Sequence, residues 1–153
     1  MNEQPEKPAK ILFVCLANMC RSPMAKIMAR EICGDSIEAD SAGVAPAMRP
    51  IFPTTRNFVR DILGIDLVKH KPRHVLEFPV ADYDYIVALD SSVFTTLTEM
   101  KEIPKDKLYR WDIPDPCGLG IDAYERTVQA IRTNLERFFQ NRDMEDTYEG
   151  GNS

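Results

Sequence analysis

The chain has 153 residues, 44% apolar and 28% charged, which suits one soluble globular domain with a full hydrophobic core. A net charge of −5 at pH 7 argues against a nucleic-acid binder that works through phosphate contacts, since such proteins are ordinarily basic. No apolar run approaches the roughly 20 residues of a membrane helix, and the leading MNEQPEKPAK holds no hydrophobic signal segment, so a cytoplasmic protein without membrane contact is expected.

Residues 1–9 read as a short disordered lead and residues 141–153, NRDMEDTYEGGNS, as an acidic flexible tail. Between them a single domain is expected over residues 10–140. Ile11–Val14 is a continuous apolar run rich in β-formers, the pattern of a strand buried on both faces. Ser22–Ile32 has helical spacing, with Ser22 placed to cap it and Pro23 suited to the first turn. Ser36–Asp40 reads as a short strand stopped by Ser41-Ala42-Gly43, and a proline-rich loop follows. Thr54–Leu63 is helical in spacing, with Gly64 as its stop. Tyr83–Leu89 reads as a second buried strand, after which Asp90 and Ser91 open a helix through Val93, Leu97 and Met100. Leu108–Trp111 is a further short strand, and it runs into DIPDPCG, where two prolines forbid both helix and central strand. The last element is a helix with an Asp122/Glu125 capping-box pattern and an apolar stripe at Tyr124, Val128, Ile131, Leu135 and Phe138. Alternating β and α elements imply an α/β fold, a parallel sheet with helices on both faces, whose ligands bind at the carboxyl ends of the strands.

The four cysteines are Cys15, Cys20, Cys33 and Cys117. They form no C-x2-C pair, and His70 and His74 are remote from them in sequence, so free thiols and no metal site are expected. Cys15 stands at the end of the first strand in FVCLANMCRSPM, with Arg21 six positions on. A loop from a strand end to a helix start can turn its backbone N–H groups inward, and the helix dipole adds positive potential. Arg21 supplies a charged fork that matches two phosphate oxygens. A cysteine in that field has its thiolate favoured, so Cys15 is the expected nucleophile, with Ser22 hydrogen-bonding the sulfur. A thiolate that displaces an alkoxide or phenoxide needs an acid on the leaving oxygen. Asp115, held between two prolines, is the candidate, with Asp112 as the alternative.

These segments resemble the low-molecular-weight protein-tyrosine phosphatase family in its bacterial branch. VCLANMCRSPMA resembles the family's C-x5-R-S signature, and Asp115-Pro116 its Asp-Pro acid. Asp40-Ser41-Ala42-Gly43, His70-Lys71-Pro72-Arg73 and Ala88-Leu89-Asp90 resemble further family segments, so the likeness spans about Lys10 to Phe139. The resemblance implies a four-stranded parallel sheet in a three-layer fold, a phosphoprotein substrate, no cofactor and a monomer. It implies that Cys15, Arg21 and Asp115 are catalytic. It also implies a phosphate loop of Leu16, Ala17, Asn18, Met19, Cys20 and Ser22, supported by Asn18, Ser41 and His70.

The family's tyrosine-specific members often carry aromatic side chains after Ser-Ala-Gly and after Asp-Pro. Here those places hold Val44, Ala45, Pro46, Ala47 and Met48, and then Cys117 and Gly118. Two alternatives on the same scaffold are a protein-arginine phosphatase and an arsenate reductase. The first typically has a loop threonine where Met19 stands. The second carries resolving cysteines after the YDYIV-type strand, where this chain reads ALDSSVFTTLTEM. Cys20 has a redox reading as well, a protective disulfide with Cys15 under oxidation. Arg49 lies in a loop expected to rim the pocket, in solvent.

Overall fold

The computed structural model describes residues 7–67 and 70–140; the expected tail and the first six residues of the expected lead lie outside the described residues. Strand β1 runs Ala9–Cys15, and Ile11, Leu12, Phe13 and Val14 have no solvent exposure. The strand takes in Ala9, the last residue of the expected lead, because it pairs with Ile37 of the neighbouring strand. Side chains alternate across the pleat. Ile11, Phe13 and Cys15 enter one hydrophobic layer, and Leu12 and Val14 the other.

β2 (Ile37–Gly43), β3 (Tyr85–Ala88) and β4 (Leu108–Arg110) complete a four-stranded parallel sheet in the order β2-β1-β3-β4. β2 does not stop at Ser41. Its pairing with β1 continues through Phe13↔Ser41 and Val14↔Ala42 to Cys15↔Gly43, so inter-strand hydrogen bonding outweighs the weak β-propensity of Ser-Ala-Gly. The chain leaves β1 toward β2 on one side and later returns to β3 on the other. That reversal opens a crevice at the carboxyl end of β1, where ligands bind in open α/β sheets.

α1 (Arg21–Cys33) and α4 (Ile121–Gln140) pack on one face and α3 (Ser91–Glu99) on the other. Cys20, rather than Ser22, is the N-cap of α1, and it makes no side-chain capping bond. The Ser22 hydroxyl is engaged beneath the loop instead. α2 covers only Pro53–Phe58, and the rest of the expected helix widens into a π-turn at Val59–Leu63, closed by Gly64 at φ 71°. Asp90 caps α3 as expected, accepting from Val93 N at 2.7 Å. The Asp122 capping box does not form. The amides of Ala123 and Tyr124 bond to Gly120 O, so α4 starts early and Asp122 falls inside its first turn.

Phe138 of α4 lies edge-on to Tyr85, Tyr109 and Trp111, at 5.0–5.8 Å between ring centroids. These contacts fix α4 against β3, β4 and the segment that follows β4. Among the described residues no helix is long and apolar enough to cross a membrane.

Candidate active site

The carbonyls of Cys15, Leu16, Ala17 and Asn18 turn outward from the loop, and each is occupied. Val44 N donates to Cys15 O at 3.1 Å, Ala45 N to Leu16 O at 2.8 Å, and Ala47 N to Ala17 O at 3.1 Å. The ring of His70 meets Asn18 O at 2.7 Å. A trans peptide points its N–H opposite to its C=O. The amides of residues 16–19 therefore face the interior of the loop, which makes an anion-binding nest at the start of α1.

Two residues permit this shape. Asn18 has φ 57°, a left-handed conformation that costs a non-glycine residue about 1–2 kcal/mol. Its side chain offsets that cost. Nδ2 donates to Ser22 Oγ at 2.8 Å and to Ser41 Oγ at 3.1 Å, while Oδ1 accepts from Arg73 N at 3.0 Å. Gly43 is the second. A Cβ there would meet Leu16 O at 2.8 Å, Asn18 N at 3.0 Å and Ala17 C at 3.1 Å, all backbone, so only glycine lets the loop lie on β2.

His70 must donate through Nε2, because a carbonyl only accepts. Burial lowers its pKa, and Lys26 adds to that, against the opposing effect of the bond to Asn18. A lowered native value means that the unfolded chain binds the extra proton first. His70 therefore contributes stability that is full above about 6.5, the ordinary histidine value, and is lost as pH falls through the lower native one. His70→Gln keeps a donor but does not titrate. Thermal melts across this range should show the wild type losing more stability than the variant, and identical slopes would refute the linkage.

Cys15 is nearly buried, at 3% exposure. Its sulfur lies 3.0 Å from Ser22 Oγ and accepts from Asn18 N at 3.3 Å. Ser22 has one proton and two acceptors in reach, Cys15 Sγ and Ala42 O at 3.2 Å. It can turn its hydroxyl to the sulfur when that sulfur carries charge.

Arg21 is 4% exposed and reaches three partners. Nη1 donates to Asp90 Oδ2 at 2.8 Å and to Ile113 O at 3.1 Å, and Nη2 lies 3.8 Å from Asp115 Oδ2. Burial opposes its charge, but Cys15, Asp90 and Asp115 outweigh burial and its pKa is raised. Asp115 is itself positioned by its loop. Its Oδ1 accepts from Cys117 N at 3.1 Å, and the buried Thr127 of α4 donates to Pro114 O at 3.0 Å. Beyond β4 the pairing with the neighbouring segment continues through Trp111 N to Ala88 O and Ile113 N to Leu89 O. Asp112 instead turns away to Arg110 Nε at 3.5 Å.

Of the expected site residues, Cys15, Leu16, Ala17, Met19, Cys20, Arg21 and Asp115 line one small cavity of about 50 Å³, together with Arg49 and Cys117. Asn18, Ser22, Ser41 and His70 form the hydrogen-bonded layer around and beneath the loop. Three larger cavities lie elsewhere, lined by described residues that do not include Cys15. The Cys20 thiol has its hydrogen-bond contacts with Cys117 Sγ at 3.3 Å and Thr55 Oγ1 at 3.4 Å. Arg49 is exposed at the rim of the cavity, as expected, and its guanidinium also stacks on Phe52, 4.3 Å from the ring. In the sequence Asp90 reads as a cap, and no signal points to Thr127 or to the Arg73 amide. The Ala88-Leu89-Asp90 segment was the one signal for Asp90.

Comparison with known proteins matches this geometry to a family. The model of "Low molecular weight phosphotyrosine protein phosphatase" covers residues 10–147. The low molecular weight protein-tyrosine-phosphatase YfkJ of Bacillus subtilis is 31% identical over 145 residues, 83% of this chain and 91% of that protein. A protein-arginine-phosphatase of Geobacillus stearothermophilus is 26% identical, over 90% of this chain and 99% of that one. Among solved structures, a low molecular weight protein tyrosine phosphatase from T. tengcongensis superposes with TM-score 0.76 at 26% identity, covering 87% of this chain and 99% of that one. An arsenate reductase from Archaeoglobus fulgidus gives 0.68 at 30% identity, covering 85% and 98%. With its sheet order, its cysteine loop and the family model over nearly all its length, the chain belongs to the low molecular weight protein-tyrosine phosphatases, a family of phosphate ester hydrolases.

Proposed function

We propose that the protein hydrolyses phosphotyrosine in phosphoprotein substrates through a cysteinyl-phosphate intermediate. The observation that carries this is the inward-facing amide ring with Cys15 at its floor and Arg21 and Asp115 at its edge. The Cys15 thiolate attacks phosphorus while the loop amides and Arg21 take the equatorial oxygens. Asp115 protonates the departing phenolate. The same carboxylate then deprotonates the water that attacks the thiophosphate, and the Ser22 hydroxyl receives the returning sulfur charge.

The narrow cavity and its nearly buried sulfur favour a phosphate on a long, flat side chain over a short alkyl one. Leu16, 49% exposed, and the half-buried Cys117 give the opening an apolar wall. None of the described residues lining the cavity is aromatic, so the substrate ring is held without ring stacking. The cationic Arg49 at the rim disfavours the guanidinium of phosphoarginine, and the buried Met19 offers it no polar contact.

The test is kcat/KM in one buffer for a phosphotyrosine peptide, a phosphoarginine peptide and an aryl phosphate. The phosphotyrosine peptide should exceed the phosphoarginine peptide by about tenfold or more. The reverse order would overturn the substrate assignment.

One observation favours a second reading, arsenate reduction: two further thiols, Cys20 and Cys117, line the same cavity as Cys15. Arsenate-dependent oxidation of reduced thioredoxin would establish it.

A further inference from the structure

Two thiols face each other across the mouth of this site. Cys20 Sγ and Cys117 Sγ are 3.3 Å apart although 97 residues separate them in sequence, and both are free. Cys20 is buried in the phosphate loop and caps α1, with its carbonyl accepting from Met24 N. Cys117 is half-buried, two residues beyond Asp115 and next to Gly118 at φ 77°. One member of the pair therefore belongs to the rigid cradle and the other to the acid loop.

We propose that Cys20 and Cys117 form a redox latch: a peroxide joins them in a disulfide that draws the acid loop toward the phosphate loop and displaces Asp115. The oxidation balances. Cys117 sulfur attacks one peroxide oxygen, the O–O bond breaks, and the hydroxide released takes the thiol proton as water. Cys20 sulfur then attacks the sulfenic sulfur, the S–O bond breaks, and that hydroxide leaves as water with the Cys20 proton. Two thiols lose two electrons and one peroxide becomes two waters. Burial pushes the Cys20 thiol up to about 12, which leaves the first step to the more exposed Cys117.

A disulfide needs about 2.05 Å between sulfurs, so the pair must close by roughly 1.2 Å. Cys20 is held by the helix it caps, so Cys117 does most of the moving. The Cys117 amide donates to Asp115 Oδ1 at 3.1 Å, and the carboxylate moves with it. Misplacing a catalytic group by about 1 Å costs on the order of 100-fold in rate. The loss of activity rests on the proposed role of Asp115; the disulfide itself does not.

The experiment treats full-length wild type and Cys15→Ser with hydrogen peroxide, alkylates them, and maps linked peptides by mass spectrometry. A Cys20–Cys117 peptide is expected in both proteins. Oxidised wild type should lose about 100-fold in turnover of a phosphotyrosine peptide, recover with dithiothreitol, and still take iodoacetamide at Cys15. A Cys15–Cys20 link in wild type with no link in Cys15→Ser would overturn the latch. A Cys20–Cys117 link with turnover unchanged would overturn the displacement of the acid. Since Cys15→Ser needs no turnover to report the link, failure of the phosphatase reading would be seen separately.

Discussion

Cys15→Ser lowers kcat by about 10⁴-fold or more while inorganic phosphate still binds. Serine keeps the size and the hydrogen bond to Ser22, so the loop retains its shape, but an alkoxide is not available at neutral pH and the described partners of position 15, Ser22 Oγ and Asn18 N, are not bases. The amide ring and Arg21 are untouched, and they account for anion affinity. Turnover by rapid quench and phosphate affinity by calorimetry separate the two effects. Residual turnover within about tenfold of wild type would remove Cys15 from the mechanism.

Asp115→Asn lowers turnover of a phosphotyrosine peptide by about 10²–10⁴-fold, the usual contribution of a general acid and base. The loss should depend on the leaving group. An aryl phosphate with an acidic phenol needs no proton in the first step, so the phosphoenzyme forms quickly and then waits for an unactivated water. A burst of phenol followed by slow turnover is the expected trace. Asp112→Asn should have little effect, because that carboxylate is exposed and pairs with Arg110. An equal loss across leaving groups, or an equal loss from Asp112→Asn, would reject the assignment.

The parts of this molecule legible in its sequence are those set by local signals. ILFV announces a strand buried on both faces, and both hydrophobic layers use it. Asp90 announces a cap, and Gly64 a stop. The cysteine loop was legible because its residues are contiguous. What was not legible depends on distant partners. Ser-Ala-Gly looked like a strand terminator until β1 pairing carried β2 through it. Ser22 looked like a cap because a hydroxyl near a helix start usually is one; here Cys15, Asn18 and Ala42 compete for it. The tie between Thr127 and Pro114 crosses 13 residues, and the Cys20–Cys117 approach crosses 97, and no periodicity encodes either.

The outward-turned carbonyls of the cradle have a consequence for how its chemistry can diversify. The loop is held from behind by hydrogen bonds from Val44, Ala45, Ala47 and His70 to its carbonyls, and the exposed side chain of Leu16 makes none of them. That position can change without loosening the grip on a tetrahedral oxyanion. Recognition of the anion and recognition of what carries it are therefore separately mutable. One frame can be turned to new esters, or to another oxyanion, by exchanging a few wall residues.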